Sequence, residues 1–289
     1  MQETYPSLEV KLDSVLVATD FSTASKQAVL YATAIARRHN SKLFIAHVVT
    51  SPSESGLMDG WRAGQAEIIE QLLANRLDGI DHELVVRSGQ VGEVLSRLIA
   101  EKRIDLVVLG TRGRTGVLKL LLGSVAENIF RRALHPVLTV GPNISGQNPE
   151  IAPERILAAT GFAAHSVYGV RYAIGLAQNL RASIALLHVV TEAGEVSGDA
   201  KSRLTTERTG KLCSLIPANV NFASEPLLLV EFGPAPEKIL QTAAAWNANL
   251  IVLGLRNVQE ASTGKATWAR AYEIVSKANC PVLTVRGPE

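Results

Sequence analysis

The chain has 289 residues, of which 47% are hydrophobic and 19% are charged. This composition is typical of a globular protein and excludes a disordered chain, a collagen-like repeat or a disulfide scaffold. The 29 basic and 27 acidic side chains leave a net charge of only +2, which argues against a partner that is a nucleic acid. At about 100 to 200 residues per domain, the length predicts two domains.

Short β-branched runs alternate along the chain with longer segments of helical period, which is typical of a parallel sheet covered by helices. The first half is predicted to hold five strands, at 13–18, 42–48, 83–87, 105–109 and 136–140, and helices at 23–39, 61–78, 91–102 and 124–132. In the first helix, Ser22 or Thr23 can accept hydrogen bonds from the first amides. Its apolar residues recur at three and four positions and form one stripe: Ala28, Tyr31, Ala32, Ile35 and Ala36.

The chain contains an internal repeat. Residues 13–21, Asp-Ser-Val-Leu-Val-Ala-Thr-Asp-Phe, return at 154–162 as Glu-Arg-Ile-Leu-Ala-Ala-Thr-Gly-Phe. Three further blocks return in the same order, with 47–49 matching 188–190, 106–110 matching 250–254, and 136–140 matching 281–285. We therefore predict two tandem copies of one α/β domain, at 1–145 and 150–289, with a linker in the glycine- and proline-rich segment 141–149.

The cysteine content and the N-terminus bear on location. Cys213 and Cys280 are the only cysteines, too few for a secreted disulfide fold, and they fit a reducing compartment. The first eleven residues carry Glu3 and Glu9 and no apolar core, so we expect no signal peptide. No apolar run approaches the roughly 18 residues that span a bilayer. We expect a cytoplasmic protein with no membrane partner.

The segment 110–124, Gly-Thr-Arg-Gly-Arg-Thr-Gly-Val-Leu-Lys-Leu-Leu-Leu-Gly-Ser, leaves a buried strand and enters a helix. Glycine at 110 and 113 lets the backbone take a positive φ and approach a ligand closely. A helix that begins at Gly123-Ser124 presents amides that favour an anion. Arg112, Arg114 and Lys119 make the segment cationic, since no carboxylate occurs between 105 and 127. The pattern predicts a phosphate site, although glycines at these places are also common turn residues.

Other kinds of site find little support in the sequence. There is no Gly-x4-Gly-Lys-Ser/Thr loop and no Gly-x-Gly-x-x-Gly after the first strand. The histidines have no metal-ligand spacing, so we predict no metal site built by the protein. His47 and His188, near the end of the second strand of each copy, are interpreted as core residues bonded to a neighbour.

The spacing Gly110-x2-Gly113-x9-Gly123-Ser124 resembles the ATP-binding signature of the universal stress proteins, and Ala18-Thr-Asp-Phe-Ser22 resembles the opening motif of that family. The likeness covers nearly the whole chain as two tandem domains. It implies two Rossmann-like α/β domains of the adenine nucleotide α hydrolase-like kind. Each would have a five-stranded parallel sheet of order 3-2-1-4-5 with helices on both faces.

The same resemblance implies ATP, together with Mg²⁺, in the cleft at the carboxyl ends of strands one and four. Asp20 would contact the ribose or adenine side, Thr19 would line the pocket, and the Val48 backbone would read the adenine edge. The implied site also includes Ala18, and the ribose and phosphates would be held by Gly110, Arg112, Gly113, Gly123, Ser124 and Val125. Asp20 has a second interpretation, as a carboxylate at the start of a helix.

The second copy departs from the pattern. Gly161 stands in place of Asp20, Asn257 in place of Gly113, and Trp268-Ala269 in place of Gly123-Ser124. A bulky indole would block close approach of the backbone to a phosphate. We therefore predict one ATP per chain, in the N-terminal copy, with a degenerate nucleotide site in the C-terminal copy.

The resemblance favours an ATP-binding stress-response or signalling factor with an unidentified protein partner. Hydrolysis would be slow or absent, because the loop contains no evident general base. A nucleotide-free interaction module is one alternative. An adenylyl-transferring or ATP-cleaving enzyme of the same superfamily is another, although the His-x-Gly-His and Ser-Gly-Gly-x-Asp-Ser signatures are absent after strand one.

The assembly is predicted from the last strand of each copy, at 136–140 and 281–285. Each would be an edge strand, and an unpaired edge favours pairing. We expect the two copies to pair through these strands as an intrachain pseudo-dimer, and two chains to form a homodimer.

Overall fold

The computed structural model describes residues 10–50, 67, 76–111, 129, 135–144, 148–149, 152–191, 198–256 and 264–287. These residues form two compact units. The first unit holds the described part of 11–142 with 148–149, and the second holds the described part of 152–289 with Val10 and 143–144. Val10 is tied to the second unit by a hydrogen bond of 3.0 Å from Asn179 Nδ2 to its carbonyl oxygen.

The first unit is a parallel sheet of order β3-β2-β1-β4-β5. Its strands are β1 Ser14–Ala18, β2 Lys42–Val49, β3 His82–Ser88, β4 Leu106–Gly110 and β5 Val137–Val140, with helices α1 Thr23–His39 and α2 Val91–Glu101. Each of these elements lies within one residue of its predicted bounds. The helices predicted at 61–78 and 124–132 fall largely outside the described residues.

The second unit repeats this order as β8-β7-β6-β9-β10, again with parallel pairs. Its elements are β6 Arg155–Ala159, α3 Ala164–Leu180, β7 Ser183–Val190, α4 Gly198–Ser214, β8 Leu227–Phe232, α5 Ala235–Ala245, β9 Leu250–Leu255, α6 Gly264–Lys277 and β10 Val282–Arg286. The predicted strand order 3-2-1-4-5 is therefore confirmed in both units. Helices cover both faces of the sheets.

The cores lie along the central strands. Val15, Leu16 and Val17 of β1 are fully buried, as are Ile156 and Leu157 of β6. Parallel strands covered on both faces are apolar at successive positions rather than at alternate ones, which explains these continuous runs. Among the described residues, no helix is long and apolar enough to cross a membrane.

Helix α1 shows how local sequence sets an element that positions the site. Ser22 is its N-cap, and the Ser22 hydroxyl accepts a hydrogen bond from the Ser25 amide. The helix ends at His39 and is capped by Asn40, which takes a left-handed φ of 53°. Ala28, Ala32 and Ala36 of the predicted stripe are buried, and their small side chains allow close packing on the sheet. Tyr31 and Ile35 of the same stripe are only half-buried.

A side-chain clamp fixes the amino ends of the central strands. Asp105 Oδ2, just before β4, accepts hydrogen bonds of 2.9 Å from the amides of both Asp13 and Ser14. In the second unit, Asn249 Oδ1 accepts from the amides of Glu154 and Arg155 at 3.1 and 3.0 Å. Each clamp joins the starts of two strands whose opposite ends lie at the candidate site.

Candidate functional site

The carboxyl ends of β1, β2 and β4 meet at one edge of the first sheet. Ala18 pairs with Ala46 of β2, and Val17 pairs with Val108 of β4. This register brings five predicted site residues to the same edge: Ala18, Thr19, Asp20, Val48 and Gly110. The other five, Arg112, Gly113, Gly123, Ser124 and Val125, lie outside the described residues.

Thr19 organises the turn between β1 and α1. Its amide donates to the Ala46 carbonyl oxygen at 2.9 Å, which continues the sheet for one more residue. Its buried hydroxyl oxygen accepts from the Phe21 amide at 3.2 Å and lies 3.2 Å from the Ser25 hydroxyl. The Thr19 side chain therefore makes its contacts within the protein and stabilises the turn at the edge of the sheet.

Asp20 is half-buried in the same turn. Its Oδ1 atom accepts a hydrogen bond of 3.0 Å from the Ser22 amide, immediately before α1. The carboxylate thus has the helix-start role expected from its position in the sequence. Its contact with a nucleotide stays a prediction.

His47 and His188 occupy equivalent positions in the two units. His47 Nδ1 lies 2.8 Å from the Thr19 carbonyl oxygen, and His188 Nδ1 lies 2.9 Å from that of Thr160. Because a carbonyl oxygen can only accept, Nδ1 carries the proton in both rings. The interpretation of both histidines as side chains bonded to a neighbour is confirmed.

Gly110 is needed for close packing of a helix and not, as predicted, for a positive φ. Its φ lies outside the left-handed range, so the expectation of a positive φ is wrong for this residue. A Cβ atom here would lie 2.6 Å from the carbonyl oxygen of Ala24, in the first turn of α1. At Gly254, the equivalent residue, a Cβ would lie 2.0 Å from the His165 carbonyl oxygen. Both glycines let the first helix of their unit pack against the end of the fourth strand.

The second unit contains an open cleft of about 740 Å³ at the carboxyl ends of β6, β7 and β9. Its base includes Thr160 and His188, the counterparts of Thr19 and His47. Four basic side chains line it: Arg208 and Lys211 of α4, Arg256 after β9, and Arg270 of α6. The Trp268 side chain and Asn257 lie outside the described residues, so blockage by the indole stays a prediction.

Burial and the nearby basic side chains lower the pKa values of two histidines of this cleft. Burial lowers the pKa of His165, and the charge of Arg256 lowers it further. Burial is also the main cause that lowers the pKa of His188, assisted by Arg208 and Lys211 and opposed by the hydrogen bond to Thr160. Both imidazoles are therefore neutral at pH 7, and the positive charge of the cleft comes from lysine and arginine.

Sequence reasoning did not single out Arg208, Lys211 or Arg270. The three-residue spacing of Arg208 and Lys211 on a helix was one available signal, because such residues share a face. Within the residues that the structure covers, no group of three or more histidine, cysteine or acidic side chains could hold a metal ion.

Comparison with known proteins identifies the family. A model of the universal stress protein family matches the chain twice, over residues 11–141 and 153–286. The chain belongs to the universal stress protein family. The two matches agree with the internal repeat and confirm a tandem arrangement of two universal stress protein domains, which have a Rossmann-like fold.

Relatives of this universal stress protein fall into two groups by coverage. A universal stress protein of Mycolicibacterium smegmatis is 25% identical over 291 residues, which span 94% of this chain and 96% of the relative. One from Methanocaldococcus jannaschii is 29% identical over 139 residues, which are 44% of this chain and 80% of that protein. The crystal structure of a universal stress protein from Archaeoglobus fulgidus matches with a TM-score of 0.69 at 19% identity, covering 96% of this chain and 99% of that one.

Proposed function

We propose that this universal stress protein binds ATP in its N-terminal copy and acts as a nucleotide-dependent stress-response or signalling factor. The support is the spacing of Gly110, Gly113, Gly123 and Ser124, together with family membership. Open parallel sheets bind ligands outside the carboxyl ends of their strands, where Ala18, Asp20, Val48 and Gly110 lie.

The turns that follow β1 and β6 have the same hydrogen bond but differ in one residue, and this difference supports the proposal. In the second unit, Thr160 Oγ1 accepts from the Phe162 amide at 3.0 Å, as Thr19 does for Phe21, although Gly161 replaces Asp20. The turn can therefore be built without a carboxylate. Asp20 is an additional polar group at the edge of the N-terminal sheet, where it could accept hydrogen bonds from ribose hydroxyls.

The polar groups near Gly110 also suit a bound ligand. The hydroxyl of the next residue, Thr111, is buried and has no hydrogen-bond partner among the described residues. A buried polar group without a partner is unfavourable, so this part of the edge retains unused hydrogen-bonding capacity. The phosphates would be held by the loop that contains Gly113, Gly123 and Ser124. Mg²⁺ would arrive with them, bound to the phosphate oxygens.

We expect little or no ATP hydrolysis. In this proposal Asp20 would lie at the sugar end of the site, and the glycine loop has no evident base to activate water. Turnover near one per second by the purified protein would contradict this expectation.

Native mass spectrometry of freshly purified protein tests occupancy, and calorimetry tests the assignment of the site. One ATP per chain is expected. Gly123→Asp places a negative charge beside the phosphates and should abolish micromolar binding. Asp20→Asn keeps an acceptor for the Ser22 amide, so it should weaken ATP binding while the melting temperature stays the same. Trp268→Asp is the matched control in the other copy and should not change ATP binding.

Two results would overturn this proposal. Absence of ATP in both measurements would favour a nucleotide-free interaction module. Two equivalent ATP sites, or loss of binding only in the Trp268 variant, would move the site to the other copy.

We also propose that the protein is cytoplasmic and that two chains form a homodimer. The location is supported by the presence of only two cysteines, Cys213 and Cys280, which fit a reducing compartment. Fractionation of cells and light scattering of the purified protein test the two statements separately.

A further inference from the structure

The cleft of the second unit has the size and lining of a small-molecule site. Its volume of about 740 Å³ lies within the roughly 300 to 1,000 Å³ that is usual for such sites. Leu187, Ile239, Leu253 and Ile274 contribute buried apolar surface to it. An apolar part of a ligand would be covered by these side chains.

The rest of the lining is cationic. Arg208, Lys211, Arg256 and Arg270 come from three separate parts of the unit, and none of the described lining residues is a carboxylate. Glu207 lies outside the lining and contacts Lys211 at 2.9 Å and Arg208 at 3.4 Å. Since Glu207 and Lys211 are exposed to solvent and Arg208 is partly exposed, these ion pairs are weak, and an anion in the cleft can compete for both cations.

Arg208 provides a separate indication of a missing partner. Its Nε atom is buried and has no hydrogen-bond partner among the described residues. A guanidinium has only donors, and a buried donor without an acceptor is unfavourable. An anion in the cleft could supply the acceptor that the described protein groups do not.

The repeat shows that this cleft differs chemically from the N-terminal site. By sequence position, Arg270 replaces Val125, directly after the exchange of Gly123-Ser124 for Trp268-Ala269. Arg256 stands at the position of Arg112. At the position of Val125, beside the expected phosphate of the N-terminal copy, the C-terminal copy therefore offers a guanidinium.

We propose that the cleft of the C-terminal copy binds an organic phosphate, with the apolar part of the molecule on the buried aliphatic side chains and the phosphate among Arg208, Lys211, Arg256 and Arg270. One arginine side chain can donate two parallel hydrogen bonds to two oxygens of a phosphate. A phosphate monoester carries close to two negative charges, so it matches a cluster of several cations better than a carboxylate with one negative charge does. Inorganic phosphate alone would leave the aliphatic side chains uncovered.

The test uses the full chain and three probes. 1-Naphthyl phosphate carries both features of the proposed ligand, 1-naphthol carries only the apolar part, and inorganic phosphate carries only the charge. Calorimetry at low salt should show saturable binding of naphthyl phosphate at least tenfold tighter than that of the other two. Failure of naphthyl phosphate to saturate at millimolar concentration, or equal binding of either partial probe, would overturn the proposal.

Substitutions locate the binding. The double variant Arg256→Gln, Arg270→Gln removes two exposed side chains of the cleft and should weaken naphthyl phosphate binding at least tenfold. Arg203→Gln is the matched control, because Arg203 is an exposed arginine on α4 that does not line the cleft. An equal loss in the control would overturn the proposal. If the double variant does not fold, Lys211→Gln replaces it in the test, because Lys211 is exposed. This variant should also weaken naphthyl phosphate binding relative to Arg203→Gln, and an equal effect of the two would overturn the proposal.

One further variant separates this inference from ATP binding. Gly123→Asp should abolish ATP binding and leave naphthyl phosphate binding unchanged. Loss of naphthyl phosphate binding in Gly123→Asp would place that ligand in the N-terminal copy and overturn the inference. A wild-type protein that binds naphthyl phosphate in the cleft but no ATP would contradict only the proposed function.

Discussion

Phe21 and Phe162 have a left-handed backbone, with φ of 63° and 64°, at the same point of the two copies. This conformation costs a residue other than glycine about 1 to 2 kcal/mol. Each phenylalanine amide donates to a threonine hydroxyl, and each ring packs against a histidine at centroid distances of 4.7 and 4.4 Å. These contacts offset the cost, so the turn depends on threonine, phenylalanine and histidine together.

Buried hydroxyl groups give a stability prediction for single residues. Among the described residues, the buried Thr139 hydroxyl has no partner, whereas the buried Thr33 hydroxyl donates to the Val29 carbonyl oxygen at 2.7 Å. Thr139→Val should raise the free energy of unfolding by about 1 kcal/mol, because it removes an unpaired polar group. Thr33→Val should lower it by about 1 kcal/mol. Urea denaturation measures both, and the same sign for the two variants would contradict the prediction.

The two cysteines should differ in reactivity. Cys280 is buried, and burial raises its pKa to about 12, whereas Cys213 is exposed. Because the thiolate is the reactive form, a disulfide reagent at pH 8 should label one thiol per folded chain rapidly. Cys213→Ser should abolish this rapid phase, and urea should expose the second thiol. Rapid labelling of Cys213→Ser in native buffer would show that Cys280 is accessible.

The clamps at Asp105 and Asn249 join strands that are distant in sequence. Asp105 also accepts from the Ser14 hydroxyl at 3.0 Å, and that hydroxyl lies 2.6 Å from the Arg103 carbonyl oxygen. The clamp therefore holds the start of β1 against the start of β4. Aspartate and asparagine form the same clamp, because it requires only a side-chain oxygen that accepts two hydrogen bonds.

This comparison predicts how substitutions at Asp105 behave. Asp105→Ala leaves the amides of Asp13 and Ser14 without their acceptor and should lower the free energy of unfolding by about 2 to 3 kcal/mol. Asp105→Asn should cost less than about 1 kcal/mol, because asparagine already forms this clamp at position 249. Chemical denaturation of both variants checks the order, and equal losses would show that the charge matters rather than the acceptor.

At the scale of the whole molecule, the two copies share a framework and differ in the groups at the carboxyl edge of their sheets. The shared parts are the strand order, the threonine turn and the glycine at the end of the fourth strand. The differences are Asp20 against Gly161 and the basic lining supplied by Arg208, Lys211 and Arg270. The same fold thus carries different polar groups at this edge in its two copies.

Stability should fall as the pH is lowered from neutral to about 5.5. Burial lowers the pKa values of His39, His165 and His188 below 6.5, with smaller contributions from nearby arginine or lysine. Below pH 6.5 the unfolded chain binds more protons than the folded one at these sites. Their contribution to stability is therefore complete above that pH and is lost as the pH falls through the folded pKa values. Urea midpoints across this range measure the effect.

His165→Gln provides the control for this pH dependence. His165 is half-buried and has a lowered pKa, so its removal should flatten the change of the urea midpoint with pH. A midpoint that is independent of pH in the wild-type protein would contradict the prediction.

The tandem repeat, the described strands and helices of the first unit, and the family can all be recognised in the amino-acid sequence alone. The strands and helices depend on residues that are neighbours in the chain, such as Ser22 before α1 or the apolar run of β4. The repeat and the family depend on short motifs that recur in order along it. Periodicity and capping are local, so they can be read without the fold.

The packing role of Gly110 and the position of the basic cleft become apparent only in the folded chain. Gly110 meets Ala24, which is far from it in the chain, so its role is packing and not a positive φ. The repeat aligns Arg256 and Arg270 with Arg112 and Val125 of the expected nucleotide site. Nothing in the sequence positions of Arg208 and Lys211 on α4 indicates that they line the same cleft. Contacts of this kind arise when strands align in register and bring their carboxyl ends to one edge, which is a property of the folded sheet.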